Sequence, residues 1–82
     1  MSNFDSVIDV IDSINDKDVL EDFLIGITTP KERNEIAQRL EIVERLLKRV
    51  PQHKIASDLG VGVATVTRGS KELQDGKFKV LR

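Results

Sequence analysis

Residues 52–73, QHKIASDLGVGVATVTRGSKEL, constrain this chain more than any other stretch. They read as two short helices joined by a tight turn. Ala56 is small where a first helix must approach a second closely, and Gly60 can adopt the positive φ that reverses the chain. Val61 is expected under the turn, with Ile55, Leu59, Val66 and Leu73 joining the two helices. Gly62 heads the second helix, where serine often caps. This is the spacing of a helix-turn-helix, which lays its second helix in the DNA major groove. Any pair of helices joined by glycine can show the same pattern, so the rest of the chain has to be weighed with it.

The remainder also reads as helix. Phe4, Val7, Ile8, Ile11 and Ile14 form one apolar stripe, predicting a helix from Asn3 to Ile14; most of these residues are β-branched, so packing has to hold it. Asp16 is suited to cap a second helix that buries Val19, Leu20, Phe23 and Leu24 and ends near Ile25, where Gly26 breaks it. Thr29-Pro30-Lys31-Glu32 is the sharpest local signal. Threonine can cap, proline fits the first helical position, and Glu32 stands three residues after the cap to close a capping box. The helix that follows should reach about Arg49, with Ile36, Leu40, Val43, Leu47 and Val50 on its apolar face, widened by Ala37 and Leu46. Pro51 starts a fourth helix, and a fifth runs from Val63 to about Leu73. Lys77 to Arg82 is expected to fray. The result is a single all-α domain over residues 1–82, of about five short helices.

Composition narrows the function. The 82 residues include no cysteine and one histidine, His53, which removes thiol chemistry, disulfides and the usual zinc sets. No apolar run is long enough to span a membrane, and Asp5, Asp9 and Asp12 interrupt the first apolar stretch, so no secretory signal is read. The expected compartment is the cytoplasm. Ser57 and Ser70 have no convincing His–Asp partners and Gly60-Val61-Gly62 is no phosphate loop, which argues against an enzyme. The net charge of −1 conceals an asymmetry, because residues 45–82 carry nine bases against three acids. A basic half suits a polyanion, although an unevenly charged solvated surface would look alike.

The candidate DNA face follows from the motif. Val63, Ala64, Thr67, Arg68 and Lys71 lie on the second helix, whose start at Gly62 offers free N–H groups to a phosphate. Small apolar groups can meet a thymine methyl, and Thr67 can reach a base edge. Gln52, His53 and Lys54 open the first helix beside the same groove wall. Arg39 has two readings: it can snorkel from an apolar helix, or stack on a planar ligand with Arg68 opposite. Gly69 within a helix costs about 1 kcal/mol against alanine, which suggests close packing against a neighbour or a ligand.

From Thr29 to Leu73, about 45 of the 82 residues, the chain resembles the tryptophan repressor family; TPKER, AQRLEIVERLL and LGVGVATVTRGSKEL carry the resemblance. It implies an intertwined homodimer that binds a palindromic double-stranded operator, with L-tryptophan as the corepressor. By the same resemblance, Arg39 and Arg68 would sandwich the indole, while Thr29 and Arg68 would hold its carboxylate. Gly69 would leave room beside the ring and Val43 would line the pocket. Gly26 and Thr28 match positions whose carbonyls hold the ammonium. Glu72 replaces a serine that also meets the ammonium; it could grip that group or pair instead with the arginines. On the DNA face, His53 replaces a guanine-reading arginine and Ala56 a DNA-contacting lysine. The family's last helix has no counterpart after Leu73, the N-terminal segment is shorter, and the turn before Pro51 is one residue shorter. Three readings therefore stand: a tryptophan-regulated repressor, a constitutive DNA binder that ignores tryptophan, and a helical protein-interaction adaptor.

Overall fold

The structure is a computed structural model and describes residues 3–82. It contains five α-helices: α1 (Phe4–Asp12), α2 (Lys17–Ile27), α3 (Pro30–Leu47), α4 (Gln52–Leu59) and α5 (Val63–Gln74), followed by one 3-10 turn, Lys79–Leu81. The chain divides into two compact units, one through Arg33 and one from Asn34 to Arg82.

In the first unit, local hydrogen bonding explains the helix ends. Asn3 caps α1, its side chain accepting from the Ser6 N–H at 3.1 Å. The expected end at Ile14 comes earlier, because the Ser13 hydroxyl turns back to the Val10 carbonyl at 2.6 Å. Asp16 caps α2 through the Asp18 N–H at 2.8 Å. Gly26 does not break α2, contrary to its sequence reading; the helix passes through it to Ile27. Glycine lowers helix stability without forbidding it. The stop falls at Thr28, which is extended, and whose hydroxyl donates to the Leu24 carbonyl. Arg33 then reaches back, its Nη1 donating to the carbonyls of Thr28 (2.8 Å) and Ile25 (3.1 Å), a cation at the helix end where carbonyls lack partners. The capping box forms as expected: the Thr29 N–H donates to Glu32 Oε1 at 2.8 Å, and the Glu32 N–H to Thr29 Oγ1 at 3.1 Å.

The second unit holds the core. Ile42, Ile55, Ala56 and Val66 are buried together, with Leu46, Val50, Leu59 and Val61 packed around them. Three helices here end in the same way. At Arg49 (φ 65°), Gly60 (φ 67°) and Gly76 (φ 89°) the backbone turns left-handed. The next residue's N–H then bonds back to a carbonyl five positions earlier: Val50 to Arg45, Val61 to Ala56, and Lys77 to Glu72. These are Schellman closures, which satisfy the orphan carbonyls of a helix end. Gly60 was expected in this role. Arg49 was not, and α3 accordingly ends at Leu47 rather than near Arg49.

The Lys77–Arg82 segment is ordered, correcting the expectation that it frays. The Arg82 guanidinium donates to the carbonyls of Leu73 and Lys77, and the Leu81 N–H bonds to the Phe78 carbonyl at 3.0 Å.

The apolar stripes are only partly covered by the chain itself. Val43 is buried, but Ile36 is 56% and Leu40 46% exposed on the same helix. In α1 Phe4 is 74% exposed. In α2, expected to bury four apolar side chains, Val19 and Leu24 are exposed and Leu20 and Phe23 half-buried. The reason is size: no described residue of the first unit is fully buried, and a few short helices cannot wrap every face they expose.

Candidate nucleic-acid interface and ligand pocket

α4 and α5 pack against each other through Ile55, Ala56 and Val66, with the Gly60 reversal between them. Gly62 precedes α5 in an extended conformation and gives it no side-chain cap, so the first amides of α5 stay available to an acceptor. Val63, Ala64, Thr67, Arg68 and Lys71 are all exposed. His53 and Lys54 are exposed at the start of α4, and Gln52 is half-buried there. Thr67 Oγ1 donates to Gln52 Oε1 at 2.9 Å, a link between the two helices that the sequence did not reveal. Lys54 Nζ lies 3.2 Å from Asp58, which also takes Arg45 of α3 at 3.5 Å, and Arg45 in turn meets Glu41 at 3.0 Å. A phosphate at Lys54 therefore competes with an ion pair already made. Ala56, at a position the resemblance associates with DNA contact, is 5% exposed and belongs to the core.

A cavity of about 410 Å³ opens beside this face, a volume suited to a small molecule. It brings together Arg39 and Val43 of α3 with Arg68, Gly69 and Glu72 of α5. Among the described residues, Glu72 makes no ion pair with either arginine. A Cβ added at Gly69 would meet Ile42 Cγ2 at 3.3 Å, so the glycine lets α5 lie close to α3. Ile42, Ala64, Thr65 and Phe78 complete the lining and had not been assigned to it from sequence. Ile42 adjoins Val43, but neighbours on a helix point to different sides, so adjacency did not disclose it, and Phe78 carried no local signal. Ala64 and Arg68 belong to both the pocket and the exposed face of α5.

Thr29, Gly26 and Thr28 lie in the first unit. The Thr29 hydroxyl and N–H serve the capping box, and the Thr28 carbonyl already accepts from Arg33. No helix of the described residues is long and apolar enough to cross a membrane.

The model of the Trp repressor protein family matches residues 2–80. The chain belongs to the Trp repressor family. As such it is a DNA-binding transcription regulator and not an enzyme, and α4-turn-α5 is its helix-turn-helix. It is 38% identical over 73 residues to the Trp operon repressor homolog of Vibrio atlanticus, covering 88% of this chain and 74% of the relative. The homolog of Vibrio cholerae is 38% identical over 74 residues, covering 89% and 72%. That of Actinobacillus succinogenes reaches 46% over 55 residues, covering 66% and 54%. In this Trp repressor family member the helix-turn-helix and the pocket lie in the same unit, and Ala64 and Arg68 of α5 belong to both.

Proposed function

We propose that the chain is a transcriptional repressor that binds a palindromic operator as a homodimer, with L-tryptophan as corepressor. The observation that carries this reading is the convergence of two cations and one carboxylate, Arg39, Arg68 and Glu72, on one small cavity without pairing to each other. An amino-acid zwitterion with a flat side chain complements that set: a guanidinium for the carboxylate, a carboxylate for the ammonium, and the cationic faces for the ring. Because Ala64 and Arg68 are common to pocket and DNA face, the ligand can bias how α5 is presented. The uncovered stripes on α1, α2 and α3 support a homodimer, since a second copy would bury the apolar area that one chain leaves in water.

DNA contacts fall to Gln52, His53 and Lys54 from α4 and to Gly62, Val63, Ala64, Thr67, Arg68 and Lys71 at or on α5. Arg68 serves both surfaces.

The test is calorimetry with L-tryptophan beside operator binding with and without it, on an operator found by unbiased selection. Linkage requires a corepressor to bind more tightly to the DNA-bound protein. No heat at millimolar tryptophan together with an unchanged operator affinity would overturn the corepressor role. The constitutive reading would then replace it. Sedimentation at micromolar concentration tests the dimer, and a monomer near 9 kDa would refute it.

A further inference from the structure

The Lys77–Arg82 segment is fixed to the end of α5 in three ways. Gly76 closes the helix with φ 89°, directing the chain back along it. Arg82 clamps the segment onto the carbonyls of Leu73 and Lys77. Between these anchors Phe78 holds a left-handed backbone, φ 64° and ψ 38°, which is costly for a residue with a bulky side chain and persists only where its surroundings impose it. Phe78 is half-buried and lines the cavity shared by α3 and α5. It is the one aromatic side chain in that lining.

We propose that this segment is a built wall of the ligand pocket and that Phe78 sets its preference for a flat aromatic ligand. The inference rests on the reading of the pocket given above and adds a residue that none of the motif segments contains. The physical reason is complementarity. A ring entering the cavity meets guanidinium groups from Arg39 and Arg68 and an aromatic side chain from Phe78. Ring–ring contacts contribute beyond the area they bury, an advantage an aliphatic ligand or an aliphatic wall lacks. Arg82 acts as a positioning residue, since its clamp holds the segment while Phe78 supplies the surface.

The chain contains no tryptophan, so the change in L-tryptophan emission on binding, excited where tyrosine does not absorb, is read without a protein background. The experiment measures L-tryptophan affinity of the full chain and of the variants Phe78→Leu, Phe78→Tyr and Arg82→Ala. Urea midpoints and operator binding without ligand are followed in parallel. Phe78→Leu keeps apolar volume and removes the ring, and is expected to weaken tryptophan binding about tenfold. Phe78→Tyr should restore it to within about threefold. Arg82→Ala, at an exposed position, should weaken binding in the same direction and gives an independent test if Phe78→Leu fails to fold. Equal affinities in wild type, Phe78→Leu and Arg82→Ala would overturn the wall and leave the pocket reading standing. Tighter binding in Phe78→Leu would also overturn it, because Phe78 would then be an obstruction. If neither the wild type nor any variant binds tryptophan, both readings fall together.

Discussion

The Thr67 hydroxyl donates to Gln52 Oε1 across 2.9 Å, tying the exposed side of α5 to the first residue of α4. With its carbonyl oxygen engaged, Gln52 presents its amide N–H groups. A glutamine that reads adenine needs both its oxygen and its nitrogen free. Under the proposed DNA-binding reading, Gln52 held in this way would donate to a phosphate oxygen or a guanine edge. Thr67→Val preserves shape and removes the donor. It should change preference at one base pair by about 1–3 kcal/mol while leaving the salt dependence of non-specific binding intact. Affinities for a selected operator and its single-base variants, each measured across salt, check this. A uniform loss on every duplex would place Thr67 at a phosphate instead.

Arg49 occupies a left-handed position that glycine fills in the other two closures of the second unit. Arg49→Gly removes the side-chain penalty, roughly 1–2 kcal/mol, and adds back part of it as unfolded-chain entropy. The variant should be more stable by about 0.5–1 kcal/mol, read from urea or thermal unfolding at fixed protein concentration.

Glu72 stands in the pocket with Arg39 and Arg68 and pairs with neither. If it grips a ligand ammonium, Glu72→Ser should weaken tryptophan binding by about 1.5–3 kcal/mol, the range of a charged hydrogen bond. Tighter binding by calorimetry would show the opposite role, competition for the arginines. Gly69→Ala probes the same space. Its helix gain of about 1 kcal/mol offsets crowding against Ile42, so unfolding should barely change while ligand affinity falls.

Glu32 has its carboxyl held below the usual glutamate range, first by the Thr29 N–H and then by the Thr29 hydroxyl. The fold favours the charged form. Its contribution is therefore complete above the unfolded pKa and is lost as pH falls through the ordinary glutamate range to the lowered value. The stability difference between wild type and Glu32→Gln should be largest near neutral pH and shrink on acidification. Urea midpoints in parallel across that range test it, and a difference independent of pH would contradict it.

What the sequence disclosed and what it withheld divide by the range of the interaction. The capping box at Thr29 and Glu32 and the reversal at Gly60 were legible because a few adjacent residues decide them. Gly26 misled because a helix break is a matter of degree, and the hydroxyl of Thr28 supplied the actual stop. Arg49 gave no sign of its left-handed backbone, since arginine has no preference for it. In the pocket, Arg39, Val43, Arg68, Gly69 and Glu72 could be brought together by resemblance, whereas Phe78 was invisible because the clamp that places it comes from Arg82. Apolar spacing on α3 marked a face but could not say that the chain's own core would cover Val43 and leave Ile36 and Leu40 open.

The left-handed closures at Arg49, Gly60 and Gly76 have a kinetic consequence. Each is completed by a bond spanning five residues, so α3, α4 and α5 can reverse direction before any distant contact forms. The core that follows joins Ile42 to Ile55 and Ile55 to Val66, intervals of little more than a helix apiece. A topology built from such short loops has a small closure entropy, which favours fast formation of this unit. The helix-turn-helix thus belongs to a unit whose reversals and core are both closed over short stretches of chain, so its shape can re-form locally after an opening.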